Sequence, residues 1–266
     1  MNSIWGLNYL IDTHCHVLPS LGYDVDAEMT KIQNSKVKQI VLIGCSISEA
    51  SETVELAKTY DWIFPSIGIH PEETFKKTFN LIDQLDALEN LIKLNRSSLT
   101  AIGECGLEYF YLDKHIKEED REENKNLQKA LLKAQVALAI KYKLPLIIHC
   151  RNGFDDLFEI IDSFELESHE FKVPIKAKGI IHSFTDNYKN AIKSIDKGFK
   201  IGVNGIITFK SSKDLRDTIE KVIVNKGIEN IVLETDSPFL TPEPYRGKIN
   251  SPVNIEIIDE FMRKLK

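Results

Sequence analysis

The residues richest in chemistry are histidines and carboxylates placed where apolar runs end. His14 and His16 close the segment Ile11-Asp12-Thr13-His14-Cys15-His16. Following Tyr9-Leu10, this segment reads as a short strand, in which side chains alternate faces with a period of two. His14 and His16 therefore share a face and Cys15 takes the other. Two imidazoles side by side supply half of a metal site. The pattern recurs along the chain. His70 ends the run WIFPSIGIH, Glu104 stands near the end of TAIGEC, and His149 near the end of LPLIIHC. His182 ends a run beginning at Ala177, and Asp236 follows NIVLET. Five of the seven histidines fall at such ends.

Four histidines and two carboxylates can hold two divalent ions about 3.5–4 Å apart. One ligand must be shared, and a carboxylate has two oxygens to share. We assign Glu104 as the bridge, His14, His16 and Asp236 as its companions on one ion, and His149 and His182 on the other. Such a mixed set suits Zn2+, Mn2+ or Mg2+, with the imidazoles favouring borderline metals over a pure Mg2+ or Ca2+ site. Each position alone has an ordinary explanation. His149 fits a satisfied core histidine, Glu104 a buried ion-pair partner, and Asp236, before Ser237-Pro238, a turn residue. Packing does not explain six of them at successive strand ends.

The elements that must position these groups alternate. Strands are expected at Tyr9–His16, Val37–Gly44, Trp62–His70, Thr100–Cys105, Leu144–Cys150, Ala177–His182, Phe199–Val203 and Asn230–Thr235. Helical periodicity covers a run capped by Ser48 and ending at Tyr60, then Leu81–Leu94 and Arg121–Tyr142, the last with Leu127, Leu131, Ala134 and Leu138 on one face. It returns over Gly153–Phe164, Asn187–Lys197 (stopped by Gly198), Lys213–Val224 and Val253–Lys266. Eight strand–helix units predict a closed (β/α)8 TIM barrel, one domain over residues 1–266. A doubly wound open sheet is the alternative, but it usually opens with a glycine-rich phosphate turn after its first strand. Here His-Val-Leu-Pro follows instead. A barrel gathers the carboxyl ends of its strands on one rim, where such sites lie.

Composition narrows the function classes. The chain has 266 residues, 42% hydrophobic and 28% charged, as a globular protein does. No run is apolar enough to span a membrane, and Met1–Gly6 lacks the basic start of a signal peptide. Cys15, Cys45, Cys105 and Cys150 form no C-x-x-C pair and read as reduced thiols of a cytoplasmic protein. A net charge of −6 leaves no general basic coat for a long duplex. Arg151, just after His149, and Arg246 and Lys248 in PYRGK are candidate phosphate contacts. Tyr109, Phe110 and Tyr111 would lie near the rim, to stack on an unpaired base or to pack beneath the long connection.

IDTHCH, GIHP, AIGECGLEY, LPLIIHCR, IIHSFT and VLETDSPFLTPEPYRGKINSP together resemble the motif series of the TatD family of metal-dependent deoxyribonucleases, in family order from Asp12 to Pro252. The resemblance implies a TIM barrel of the amidohydrolase-like type and a Mg2+-dependent, 3'-5' exonuclease-like phosphodiesterase releasing nucleotides from DNA ends. It implies metal ligation by His14, His16, Glu104, His149, His182 and Asp236, and a role for His70 near the substrate rather than on the metal. Three positions depart from the family pattern: Val17-Leu18-Pro19 replaces an acidic residue, Glu108 replaces the aspartate of GLDY, and Glu72 replaces the second histidine of HPH. All three lie where substrate would rest. The expected mechanism has Asp236 take the proton of an attacking water, with Glu104 and His70 as the other catalytic residues. Single-stranded or frayed DNA ends are the expected substrate and a monomer the expected state. The same site also permits hydrolysis of an amide, lactone or aminoacyl ester. A degenerate binding barrel would not require all six ligands.

Overall fold

Eight apolar runs form one parallel sheet whose strand order is the chain order: β1 Leu10–Cys15, β2 Val37–Gly44, β3 Ile63–Ile67, β4 Ala101–Glu108, β5 Leu146–Arg151, β6 Gly179–Ile181, β7 Phe199–Val203 and β8 Ile231–Leu233. The computed structural model describes residues 8–170 and 178–265, without the side chains of residues 113 and 165–170. Met1–Gly6, Ala177 and Lys266 therefore lie outside the described residues. Strands covered on both faces read as continuous apolar runs, and all eight residues of β4 are buried. Between and after the strands run α1 Val25–Gln33, α2 Ile47–Thr59, α3 Leu81–Asn95, α4 Leu112–His115, α5 Arg121–Tyr142, α6 Phe154–Glu170, α7 Tyr188–Asp196, α8 Lys213–Lys226 and α9 Ile255–Leu265. The fold is a (β/α)8 TIM barrel. No helix among the described residues is long and apolar enough to cross a membrane.

The seam is closed beside the site. Asp236 N–H donates to the His14 carbonyl at 2.9 Å and His16 N–H to the Ser237 carbonyl at 2.7 Å. Asp12, fully buried, fastens the same seam. Its Oδ1 accepts from Thr235 N–H at 2.9 Å and His14 N–H at 3.2 Å, and its Oδ2 from the Thr235 hydroxyl at 2.5 Å. Burial lifts this carboxyl to about 7 against the pull of those three donors.

Several details differ from the sequence expectations. α1 carried no clean apolar period because one of its buried positions is Glu28, which accepts hydrogen bonds from Lys31 and Ser251. Ser46, not Ser48, caps α2, accepting from Glu49 N–H. β4 and β5 stay paired through Gly106–His149, Leu107–Cys150 and Glu108–Arg151. Glu104 and His149 thus sit inside strands rather than at their ends. β3 stops at Ile67, so His70 stands beyond it and caps a 3-10 turn at Pro71–Phe75. Of the expected α5 stripe Leu127, Leu131, Ala134 and Leu138 only Leu131 is buried; the buried face is turned from it and includes Leu132, Val136 and Ala139 with Asn124, Gln128 and Gln135. These amides grip rim backbone. Gln135 exchanges two hydrogen bonds with Ile69, Gln128 two with Glu108, and Asn124 ties Thr74.

Asp12→Ala should strip three buried hydrogen bonds from the seam and lower the unfolding free energy of the metal-free protein by about 3 kcal/mol. Urea unfolding in a chelator measures it; a loss under about 0.5 kcal/mol would show that the seam does not depend on Asp12.

Candidate metal centre

The structure brings all six expected donors together. The Nε2 atoms of His14 and His16 lie 3.0 Å apart. Glu104 Oε2 is 3.2 Å from His14 Nε2 and 4.0 Å from His16 Nε2, and Asp236 Oδ1 is 3.7 and 3.4 Å from the same two atoms. The other oxygen of Glu104 faces a second set: His149 Nδ1 at 3.0 Å, His70 Nε2 at 3.6 Å and His182 Nε2 at 3.8 Å. His182 Nε2 also approaches Asp236 Oδ1 at 3.5 Å. Glu104 therefore stands between two groups of donors and offers one oxygen to each. His14, His16 and Glu104 form a set that can hold a metal ion.

His70 differs from its neighbours. Its Nδ1 accepts the Glu72 backbone N–H at 3.2 Å, so the neutral ring carries its proton on Nε2, toward Glu104. Burial holds it neutral, with its pKa lowered to about 3. Nε2 is then a donor with no lone pair for a metal, although His70, Glu104 and His149 lie close enough to form a third-party set.

The carboxylates and imidazoles shift one another's ionisation. Burial opposes ionisation of Glu104, but the imidazoles of His182, His14 and His70 outweigh it and hold the carboxyl well below its usual range. Asp236 is lowered in the same way, burial being outweighed by His182 and His16. Burial also opposes protonation of His149 and His182. Glu104 and Glu108 nonetheless raise His149 to about 9, and Glu234, Glu104 and Asp236 raise His182 to about 10.

Two carboxylates that the sequence reading did not place in the site support it from behind. Glu108 Oε2 lies 2.9 Å from His149 Nε2, the nitrogen facing away from Glu104. Glu234, fully buried, sits 3.0 Å from His182 Nδ1 and accepts Ser183 N–H at 2.6 Å. The His182 approach is an ion-pair distance off the line of a hydrogen bond, and the Nδ1 atoms of His14 and His182 and Oε2 of Glu234 remain without hydrogen-bond partners. These three residues also form a compact donor cluster. Carboxylates in such places fix the tautomer and orientation of histidine ligands. A Cβ at Gly202 would stand 2.5 Å from Glu234 Oε2, so this β7 glycine makes room for the carboxylate. The available signal was spacing: Glu108 is four residues from Glu104 on β4, and Glu234 two from Asp236 just past β8. Asp236 itself is a non-glycine residue at φ 59°, a strained conformation typical of functional turns. Cys45 Sγ lies against the first of these groups, 3.5 Å from Glu104 Oε2 and 3.9 Å from His16 Nδ1.

The expected phosphate contacts divide. Arg151 ends β5 two residues beyond His149, with its guanidinium 3.8 Å over the ring of Phe110. Arg246 and Lys248 lie on the exposed loop after β8, packed over Phe209 and Tyr245. No hydrogen bond or ion pair links either to the six donors among the described residues.

A parallel eight-stranded barrel with histidine–carboxylate donor sets on its rim defines a metal-dependent hydrolase. The chain belongs to the family described as TatD related DNase, which matches residues 11–266. It is 37% identical over 265 residues to the uncharacterized metal-dependent hydrolase BU355 of Buchnera aphidicola, covering 97% of this chain and 92% of the relative. It is 31% identical over 262 residues to the metal-dependent hydrolase YabD of Bacillus subtilis, covering 97% and 91%. The crystal structure of YjjV, a TatD homologue from Escherichia coli, superposes with a TM-score of 0.79 at 26% identity, over 96% of this chain and 90% of that one.

With their pKa values raised to about 9 and about 10, His149 and His182 should carry protons at neutral pH, and a cation bound to them would displace those protons. Metal affinity should therefore rise as pH increases toward 9. Calorimetry at pH 7 in buffers of different ionisation enthalpy should show release of about two protons per protein on loading. Loading without proton release would remove these two histidines from the metal's surroundings.

Proposed function

We propose that this protein is a two-metal phosphodiesterase of the deoxyribonuclease type, trimming single-stranded or frayed DNA ends. The observation that carries the reading is Glu104, each of whose oxygens faces a separate set of donors. On this reading His14, His16, Asp236 and Glu104 hold one divalent ion, and His149, His182 and Glu104 the other. The nitrogen-rich set fits Zn2+ or Mn2+, and Mg2+ by family likeness. When bound, such a pair supplies Lewis-acid charge to a phosphoryl oxygen and makes water acidic enough to attack.

The chain's own residues do the rest. Asp236, held ionised by its histidine neighbours, takes the proton as the water oxygen bonds to phosphorus. The bond from phosphorus to the sugar oxygen breaks, and the proton held on Asp236 passes to that leaving oxygen, which restores the carboxylate. His70, whose Nδ1 is engaged by Glu72 N–H and whose Nε2 stands 3.6 Å from Glu104, has an Nε2–H to offer a phosphoryl oxygen brought beside Glu104. Arg151 supplies local positive charge where the chain as a whole is acidic. The net charge of −6 fits an unpaired end better than a duplex neutralised along its length.

Asp236→Asn keeps shape and one coordinating oxygen but removes the proton acceptor. Metal occupancy should fall only partly, while turnover falls by about three orders of magnitude or more. The substrate is tested by comparing a labelled linear single strand with its circular form and with a panel of small esters and amides, each with metal-loaded protein. Linear DNA should be shortened and the circle spared. Efficient cutting of the circle, or hydrolysis confined to the amide and ester panel, would overturn the reading.

A further inference from the structure

Two aromatic rings stand open to solvent on opposite sides of the centre. Phe110 is 40% exposed on the turn after β4, and Phe239 is 53% exposed on the turn after β8. Single exposed apolar residues are ordinary on protein surfaces. These two sit on turns tied to residues of the centre, one through the Glu108 carboxylate and the other through the backbone carbonyl of Asp236. Glu108 accepts Tyr111 N–H through Oε1 at 3.0 Å while its Oε2 faces His149. That clasp closes a turn whose apex is Phe110. Phe239 donates its backbone N–H to the Asp236 carbonyl at 2.8 Å, and its own carbonyl accepts from Asn250 Nδ2 at 2.6 Å. The Phe239 ring meets His16 edge-on, with centroids 6.2 Å apart. β8 adjoins β1 at the seam, whereas β4 and β5 lie half-way round the barrel. Phe239 thus flanks the His16 side and Phe110 the His149 side.

Phe110 also carries a cation. The Arg151 Cζ stands 3.8 Å from its ring centroid, and Lys114 Nζ 5.5 Å from it. The Arg151 guanidinium makes no hydrogen bond among the described residues, so its fork of donors is uncommitted. Aromatic faces paired with cations, next to a site for a phosphate, are the chemistry that grips unpaired nucleotides.

We infer that Phe110, with Arg151, and Phe239 are two base platforms, on which the nucleobases either side of the reacting phosphodiester stack. This rests on the phosphodiesterase reading. Because the platforms stand on opposite sides of the barrel, the two bases would have to splay apart to reach both. A paired and stacked duplex cannot satisfy both, so preference for unpaired ends follows from the platforms themselves. Every base has a π-face, so the site should tolerate any sequence.

The test uses the dinucleotide dTpdT, whose single phosphate fixes the register, and its two analogues lacking one base or the other. Affinities are measured by calorimetry on the Ca2+-loaded protein. Wild type should bind each abasic analogue about tenfold more weakly than dTpdT. Phe110→Leu and Phe239→Leu keep apolar bulk but lose the π-face. Each should bind dTpdT about tenfold more weakly, and each should be indifferent to the loss of one base only, a different base for each variant. Equal affinity of wild type for all three ligands, or variants that bind dTpdT as wild type does, would overturn the inference. Hydrolysis of bis(p-nitrophenyl) phosphate by the Mn2+-loaded wild type separately tests the phosphodiesterase reading. Turnover without base dependence removes the platforms alone, and base-dependent binding without turnover leaves them standing.

Discussion

The structure depends on one buried charge. Glu104 is ionised inside a barrel mouth from which water is largely excluded, and an unpaired carboxylate there would cost far more than a surface ion pair returns. What holds it is a ring of imidazoles: His14 and His16 near one oxygen, His149, His182 and His70 near the other. The imidazoles are crowded in turn. His14 and His182 stack with centroids 3.4 Å apart, and the Nε2 atoms of His14 and His16 sit at hydrogen-bond distance. Protons can balance this cluster only in part, whereas divalent cations satisfy carboxylates and lone pairs at once.

The supporting structure is arranged to keep that cluster in place. β4 and β5 remain paired beyond Glu104 and His149, which brings Glu108 behind His149 on the same ladder. Glu234 occupies space left by Gly202, behind His182 and near the unpartnered Nδ1 of His14. One buried carboxylate is thereby placed between a donor from each proposed ion. On the outside, α5 uses Gln128 and Gln135 to lock the backbone of Glu108 and Ile69, the residues that flank His149 and His70. A helix face that binds loops through amides gives up apolar area for position. Stable sites are built this way, on rigid elements with a supporting layer.

The fold was legible because strands buried on both faces cannot avoid long apolar runs, and eight of them leave few topologies. The donors were legible for a related reason. Each of His14, His16, His70, His149, His182, Glu104 and Asp236 has an ordinary reading alone, and they stood out by recurring together near the ends of apolar runs. What stayed hidden was polar burial of a second kind. Glu108 and Glu234 touch donors rather than offer themselves as the obvious ligands, and their spacing resembles that of any carboxylate on a strand. Glu28 masked α1, and the amides of α5 masked which face it buries. Strand ends were misplaced where pairing outran the apolar run, as at Gly106-Leu107-Glu108, and where it stopped short, as after Ile67 and Leu233, because ladder hydrogen bonds do not depend on side-chain type. The reach of Arg246 and Lys248 depends on a loop path, which periodicity does not encode.

The most direct measurement is anomalous diffraction from crystals soaked in Mn2+. Two peaks should appear about 3.5–4 Å apart, each bonded to a different oxygen of Glu104, one beside His14 and His16 and the other beside His149 and His182. A single peak, or a pair in which only one ion touches Glu104, would contradict the bridging carboxylate on which the proposed chemistry rests.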